Sequence, residues 1–203
     1  MNKIEYKFPY WGPFIMQTTM PKSIIEFMLD EARKTKNSYN HKLAGHLKHQ
    51  YKYDLNVQNW FFNNIKNYIS AYKQGHNDFH GSDNIFPEYI ELQNLWVNFM
   101  KPGDYNPPHT HGADYSFVLF LDVPKKLEDE QKLHEGTSFP PGTLSFSYGM
   151  PSKPNYSIIE HHYNPKTGDF FMFPALLVHS VSPFKSDIER ISVSGNFKII
   201  DEN

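Results

Sequence analysis

Cysteine is absent from the 203 residues. That removes disulfides, thiolate metal sites and a cysteine nucleophile, and leaves histidine and carboxylate as the strong metal ligands available. An excess of charge is missing as well, since 20 Lys and Arg stand against 22 Asp and Glu for a net charge of -2. Such a balance offers nucleic acid no basic face and supplies no acidic tail. No apolar run is long enough to cross a bilayer, and the N-terminal MNKIEYKFPYWG lacks the apolar segment of a signal peptide. A soluble cytoplasmic protein with no membrane partner is therefore expected. Repeats, low-complexity tracts and a dividing linker are also lacking, so a single domain over 1–203 is expected.

What is present changes character near residue 88. Before it the periodicity is helical. PKSIIEFMLDEARK places Ser23 and Glu26 at capping-box spacing ahead of an apolar stripe of Ile24, Ile25, Met28, Leu29 and Ala32. A second helix is predicted from about Val57 to Lys73, with Val57, Phe61, Ile65, Tyr68, Ile69 and Tyr72 on one face and Gly75 as its stop. The polar NSYNHKLAGHLKHQYKYD between them reads as loops. From Tyr89 onward come short β-rich runs, YIELQNLWVNFM, YSFVLFLDV, GTLSFSY, YSIIEHHY, GDFFMF, LVHSV and RISVSGNFKII, parted by Pro, Gly, Asn and Asp. They predict a mainly β sandwich or barrel with helices packed outside, residues 1–87 forming a helical support and 88–199 the β core. The Lys- and Glu-rich insert PKKLEDEQKLHEGTSFPPG reads as an exposed loop.

The chemistry gathers in the second half. Side chains of an extended segment alternate between faces, so His109 and His111 in PPHTH point the same way while Thr110 points opposite. Two imidazoles can then reach one ion. His179, after the apolar GDFFMF and the turn at Pro174, is the third candidate. Three neutral imidazoles leaving open positions suit an oxygen-activating or hydrolytic metal, whereas a closed structural site takes four ligands. On RISVSGNF, Arg190, Ser192, Ser194 and Asn196 share one face and Ile191, Val193 and Phe197 the other. A polar face there suits a pocket for an anion, and the Arg190 fork can hold a carboxylate at two points. His161 and His162 are adjacent and face opposite sides, so at most one can join a site. His46, His49 and His80 fall in polar stretches where a surface role is expected, and Tyr105 either borders the pocket or packs under a turn.

The segment LWVNFMKPGDYNPPHTH, followed some seventy residues later by GDFFMFPALLVHSVSPF and RISVSGNF, resembles the iron(II)- and 2-oxoglutarate-dependent oxygenases, and within them a group found in bacteria and their phages. The resemblance covers about residues 88–199. It implies a double-stranded β-helix (jelly-roll, cupin-like) with Fe(II) at one end of the barrel, and an enzyme that consumes 2-oxoglutarate and O2 and releases succinate and CO2, usually while hydroxylating a substrate. By that analogy His109 is the first metal ligand and His179 the distal one. Arg190 clamps the far carboxylate of 2-oxoglutarate, with Ser192 beside it and Asn98 at a position that touches the co-substrate in some relatives.

The sequence departs from the family at the second ligand, where His111 stands in place of Asp or Glu. Either His111 is itself a ligand, or a carboxylate comes from elsewhere, with Asp114 the nearest. Strand parity favours His111, although Gly112 permits a bend. Two other readings stay open on these residues. PGDYNPPHTH and GDFFMFPALLVH also resemble the two cupin motifs, with Leu176 where the second has Gly and without the usual cupin glutamate. That implies a three-histidine dioxygenase not using 2-oxoglutarate. The other is a non-catalytic β-barrel binding module, which the many aromatic residues would also serve. The primary substrate and oligomeric state are unassigned, and specificity is expected in segments 40–54, 74–88 and 124–142.

Overall fold

Alternation along the long strands decides how this chain is layered. The computed structural model of the protein describes residues 12–81, 89–149 and 160–200. Its strands are β1 (Met16–Thr19), β2 (His49–Lys52), β3 (Ile90–Met100), β4 (Asn106–His109), β5 (Tyr115–Asp122), β6 (Leu144–Ser147), β7 (Glu160–Tyr163), β8 (Asp169–Pro174), β9 (Val178–Val181) and β10 (Arg190–Ile199). Its helices are α1 (Lys22–Lys34), α2 (Leu55–Asn64), α3 (Lys66–His80) and α4 (Lys125–Lys132). The strands form two antiparallel sheets, a larger one in the order β1-β8-β5-β10-β3-β2 and a smaller one in the order β4-β9-β6-β7. This is the jelly-roll type of β architecture expected. Residues 1–11, 82–88 and 156–159, on which parts of the N-terminal, loop and strand expectations fall, lie outside the described residues. Among the described residues no helix is long and apolar enough to cross a membrane.

The larger sheet is covered on both faces. Leu95, Val97, Phe99, Phe117, Leu119, Phe170, Met172, Ile191, Val193 and Phe197 turn to the helices and join Met28, Phe61, Ile65 and Tyr72 in one apolar cluster. The alternate residues Met100, Phe120, Phe171 and Phe173 turn to the smaller sheet and join Leu144, Phe146 and Val181 in a second cluster. On β10 the alternate positions Arg190, Ser192, Ser194 and Asn196, and on β3 Asn94 and Asn98, are instead polar, and hollows rather than core lie beside them. Gly195, on the helix-facing side, leaves room for Phe117: an added Cβ would lie 2.5 Å from its ring and 2.7 Å from the Asn94 carbonyl oxygen. Gly195→Ala is thus expected to overpack the sheet and cost about 1–3 kcal/mol, read as a lower denaturation midpoint.

The helical half differs from its sequence reading in ways with local causes. Pro21 is the N-cap of α1, in extended conformation, and its carbonyl accepts from the Ile24 and Ile25 amides, so Ser23 already lies inside the helix and the Ser23/Glu26 capping box does not form. The second predicted helix is two. α2 is capped by Asp54, whose carboxylate accepts from the Val57 amide at 2.9 Å, and the chain breaks at Ile65 before α3. Gly75 does not stop α3, which runs on to Gly81 in the left-handed conformation at φ 63°. Gly75 is needed for packing, because a Cβ there would come within 2.7 Å of the Phe14 ring. The polar segment expected to be loop contains β2, paired to β3 with Gln50 opposite Asn98. The charged insert expected to be loop contains α4, anchored by buried Leu127 and by Glu130, whose carboxylate accepts from the Lys185 and Ser186 amides.

Candidate metal centre

Pairing of β4 with β9 places His109 directly opposite His179. His111 follows two residues beyond the end of β4 and is tied down by its own amide, which donates to the Ala175 carbonyl at 2.9 Å. The three rings converge. Their centroids are 4.2 Å apart for His109 and His179, 5.0 Å for His109 and His111, and 5.0 Å for His111 and His179. One nitrogen from each lies within 4.8 Å of the others. The Nε2 atoms of His111 and His179 are 3.2 Å apart, close to the ~3.0–3.4 Å between two ligands about 2.1 Å from one ion.

Tautomers are set from the backbone. His109 Nδ1 donates to the Pro107 carbonyl at 2.7 Å, and His179 Nδ1 donates to the Leu177 carbonyl at 2.9 Å. Both Nε2 lone pairs are thereby left for an ion, as in metal-binding histidines held by an outer carbonyl. Burial disfavours the imidazolium at all three. It lowers His109 below the ordinary value, and with help from neighbouring His109 it takes His111 to about 4 and His179 to about 3. The rings are neutral at neutral pH. Three such donors fit a divalent ion that keeps open positions.

The same cavity contains Arg190, Ser192 and Asn98. Arg190 is 2 % exposed. One terminal nitrogen donates to the Gly142 carbonyl and the other to Met100 Sδ, each at 2.8 Å, while Nε has no partner. Its charge rests over the Phe120 ring at 5.2 Å. Burial lowers its pKa to about 10, so it stays charged at neutral pH. Among the described residues no carboxylate pairs with it, and neither Asp nor Glu lines the cavity. A buried cation without a counter-ion fits an anion supplied from outside.

Asn98, 5 % exposed, orders the polar floor. Its Oδ1 accepts from Gln50 Nε2 at 2.8 Å and Trp96 Nε1 at 3.1 Å, and its Nδ2 donates to the hydroxyls of Ser192 at 3.4 Å and Ser194 at 3.2 Å. Sequence reasoning missed Trp96 and Gln50. Trp96 lies two residues from Asn98 on one strand, so period two could have found it. Gln50 was hidden in a segment that does not look like a strand. Asp114 is drawn away from the histidines. Its carboxylate accepts from the Ile199 amide at 2.7 Å and pairs with Lys198 Nζ at 3.3 Å. His46 stacks on Tyr105 at 4.6 Å and 6°, outside the cluster. His161 sits opposite Phe146 on the edge strand β7 and is exposed, and His162 bonds Ser145 and stacks on Phe139.

Comparison with known proteins identifies the family. The family model described as "Putative 2OG-Fe(II) oxygenase" matches residues 94–196, the stretch holding all three histidines and Arg190. No curated protein matches in sequence. In structure the chain is similar to a Pseudomonas putida prolyl-4-hydroxylase, at 15% identity and TM-score 0.57 over 92% of this chain and 93% of that one. It is also similar to the viral collagen prolyl hydroxylase of Paramecium Bursaria Chlorella virus-1 in its 2-oxoglutarate complex, at 13% identity and TM-score 0.58 over 94% and 98%. HygX from Streptomyces hygroscopicus with nickel and 2-oxoglutarate bound aligns at 9% identity and TM-score 0.58 over 91% and 82%. At these identities the structures speak for the fold, and the matched half of the sequence speaks for the family: the chain belongs to the 2-oxoglutarate- and iron(II)-dependent oxygenases.

Proposed function

We propose that this oxygenase is a hydroxylase whose iron(II) is held by His109, His111 and His179. Arg190 and Ser192 would hold the far carboxylate of 2-oxoglutarate, and Asn98 would serve the same ligand by fixing the Ser192 hydroxyl. The observation that carries the reading is the buried Arg190, without a carboxylate partner among the described residues, in one cavity with three neutral imidazoles. Iron(II) and 2-oxoglutarate together supply the oxidative chemistry, in which dioxygen is consumed, succinate and CO2 are released and a substrate C–H bond is hydroxylated. The chain orients and excludes. Phe120, Leu144, Phe173 and Val181 wall the inner cavity and keep water from the Arg190 fork, while Gly142 and Met100 fix where that fork points.

Replacing the usual carboxylate ligand by His111 leaves the site one unit more positive than the family pattern. Support for His111 over Asp114 comes from the 3.2 Å approach of His111 to His179 and from the occupied carboxylate of Asp114. Anaerobic addition of 2-oxoglutarate to the iron(II) protein should give a weak visible charge-transfer band. Failure to form it, with no succinate in air, would refute the reading. His111→Ala should lower iron affinity by more than about a hundredfold, beyond the usual cost of losing an outer-sphere partner. Asp114→Asn should leave that affinity unchanged, and the reverse ranking would make Asp114 the ligand.

A further inference from the structure

A second depression adjoins the inner cavity and shares Leu43, Ala44, Trp96, His109 and His111 with it. Its own wall is polar: Tyr39 and Lys42 at the turn before β2, Gln93 and Asn94 on β3, Thr110 between the histidines, and Asn196 on β10 opposite Asn94. The histidine cluster therefore has two sides. Arg190 and Ser192 line the inner compartment alone, and Lys42 and Asn94 line the outer one alone. If 2-oxoglutarate fills the inner side, as the reading above requires, the outer side is left for the molecule to be oxidised.

We propose that this vestibule binds the primary substrate, and that the substrate is a small organic anion carrying an N–H or O–H donor, its acidic group meeting Lys42 and its donor meeting Asn94. The Asn94 Oδ1 atom is buried and has no hydrogen-bond partner. A buried acceptor left unpaired is costly, and a donor from the ligand removes that cost. Asn196 is already committed on its oxygen, which accepts from the Ser116 hydroxyl at 2.7 Å, and its amide nitrogen is the donor it can offer.

Charge narrows the class further. Among the described residues Lys42 forms no ion pair, and no Asp or Glu lines either compartment. With Lys42 on the wall and no carboxylate among the described lining residues, an ammonium or guanidinium group would enter beside a like charge with no counter-ion. An anion meets the opposite charge.

The test uses the full-length iron(II) protein with 2-oxoglutarate in air, reading succinate with and without each probe. The probes are hydroxy and amino carboxylates, hydroxyl-bearing phosphate monoesters, the neutral amides of the same acids, and amines of the same size without an acidic group. A carboxylate or phosphate is expected to raise kcat/KM for succinate formation at least about tenfold over its neutral amide, the scale of one charge-assisted hydrogen bond. The carboxylate and phosphate arms say which anion is meant. Lys42→Glu should remove that advantage, Lys42→Arg should retain it, and Asn94→Leu should lower stimulation by about tenfold. A preference for amines or amides, stimulation by no anion, or stimulation indifferent to Lys42→Glu and Asn94→Leu overturns the proposal. The charge-transfer band of the wild-type protein, read without any probe, reports the oxygenase reading separately. A protein that forms the band yet prefers cations refutes the vestibule alone.

Discussion

His179→Ala is expected to abolish iron binding and succinate formation together. His179 is the most buried of the three rings, 7 % exposed. It is wedged beside Phe173 at 4.9 Å and Phe146 at 6.3 Å, with Nδ1 fixed by the Leu177 carbonyl. Truncation removes a donor that the cavity wall holds in place, and it leaves the Leu177 carbonyl without that partner. Loss of an outer-sphere partner alone costs a metal site 10- to 100-fold in affinity, so loss of a ligand with its support should exceed about a hundredfold, measured by titration with iron(II) or nickel(II). Turnover falls with it. His161→Ala is the matching control, since His161 shares the register row of His179 through Phe146 but is exposed on the far edge strand. It should leave both measurements unchanged. Full turnover by the His179 variant would remove the cluster from the chemistry.

Why were those histidines legible and other parts of the site not? Period two is a strong signal wherever a strand has one apolar and one polar face. It marked β10, where Ile191, Val193 and Phe197 join the helix-side core while Arg190, Ser192 and Asn196 turn to the cavity. The same parity put His109 and His111 on one side, although β4 ends at His109 and the position of His111 is held by the Ala175 carbonyl instead. Short elements that owe their form to neighbours left weaker traces. In β2, Gln50 has a place because Asn98 lies across from it, and the surrounding sequence is too polar to show a strand. α4 has a single buried apolar residue, Leu127, which no periodicity can report. Of the three segments expected to carry specificity, residues 40–54 do supply pocket wall through Leu43, Leu47 and Gln50. Segment 124–142 lines neither compartment and reaches the site by the Gly142 carbonyl on Arg190. Residues 74–81 line neither, and 82–88 lie outside the described residues.

Arg190→Met should separate function from stability in opposite directions. Without co-substrate, the guanidinium is a buried charge with a free Nε and no carboxylate among the described residues. Its remaining bonds go to a carbonyl and a thioether, weak recompense for lost hydration. A methionine, shorter but flexible and apolar, can occupy most of the space beside Phe120 and Met100, and exchange of a buried charge for a packed apolar side chain is commonly neutral or stabilising. The ligand-free variant should therefore melt no lower than wild type. Binding of 2-oxoglutarate should suffer heavily, because removing one member of a buried, hydrogen-bonded charge pair costs about 2–5 kcal/mol, or roughly 30- to 5,000-fold in KM. The rise in melting temperature that saturating 2-oxoglutarate gives the wild-type iron protein should vanish in parallel, since that rise follows occupancy. Arg190→Lys should fall between the two, keeping the charge but losing the planar fork that Gly142 and Met100 hold. If Arg190→Met unfolds the free protein while the Lys variant binds 2-oxoglutarate as tightly as wild type, the guanidinium is a structural strut, and the co-substrate must be gripped elsewhere.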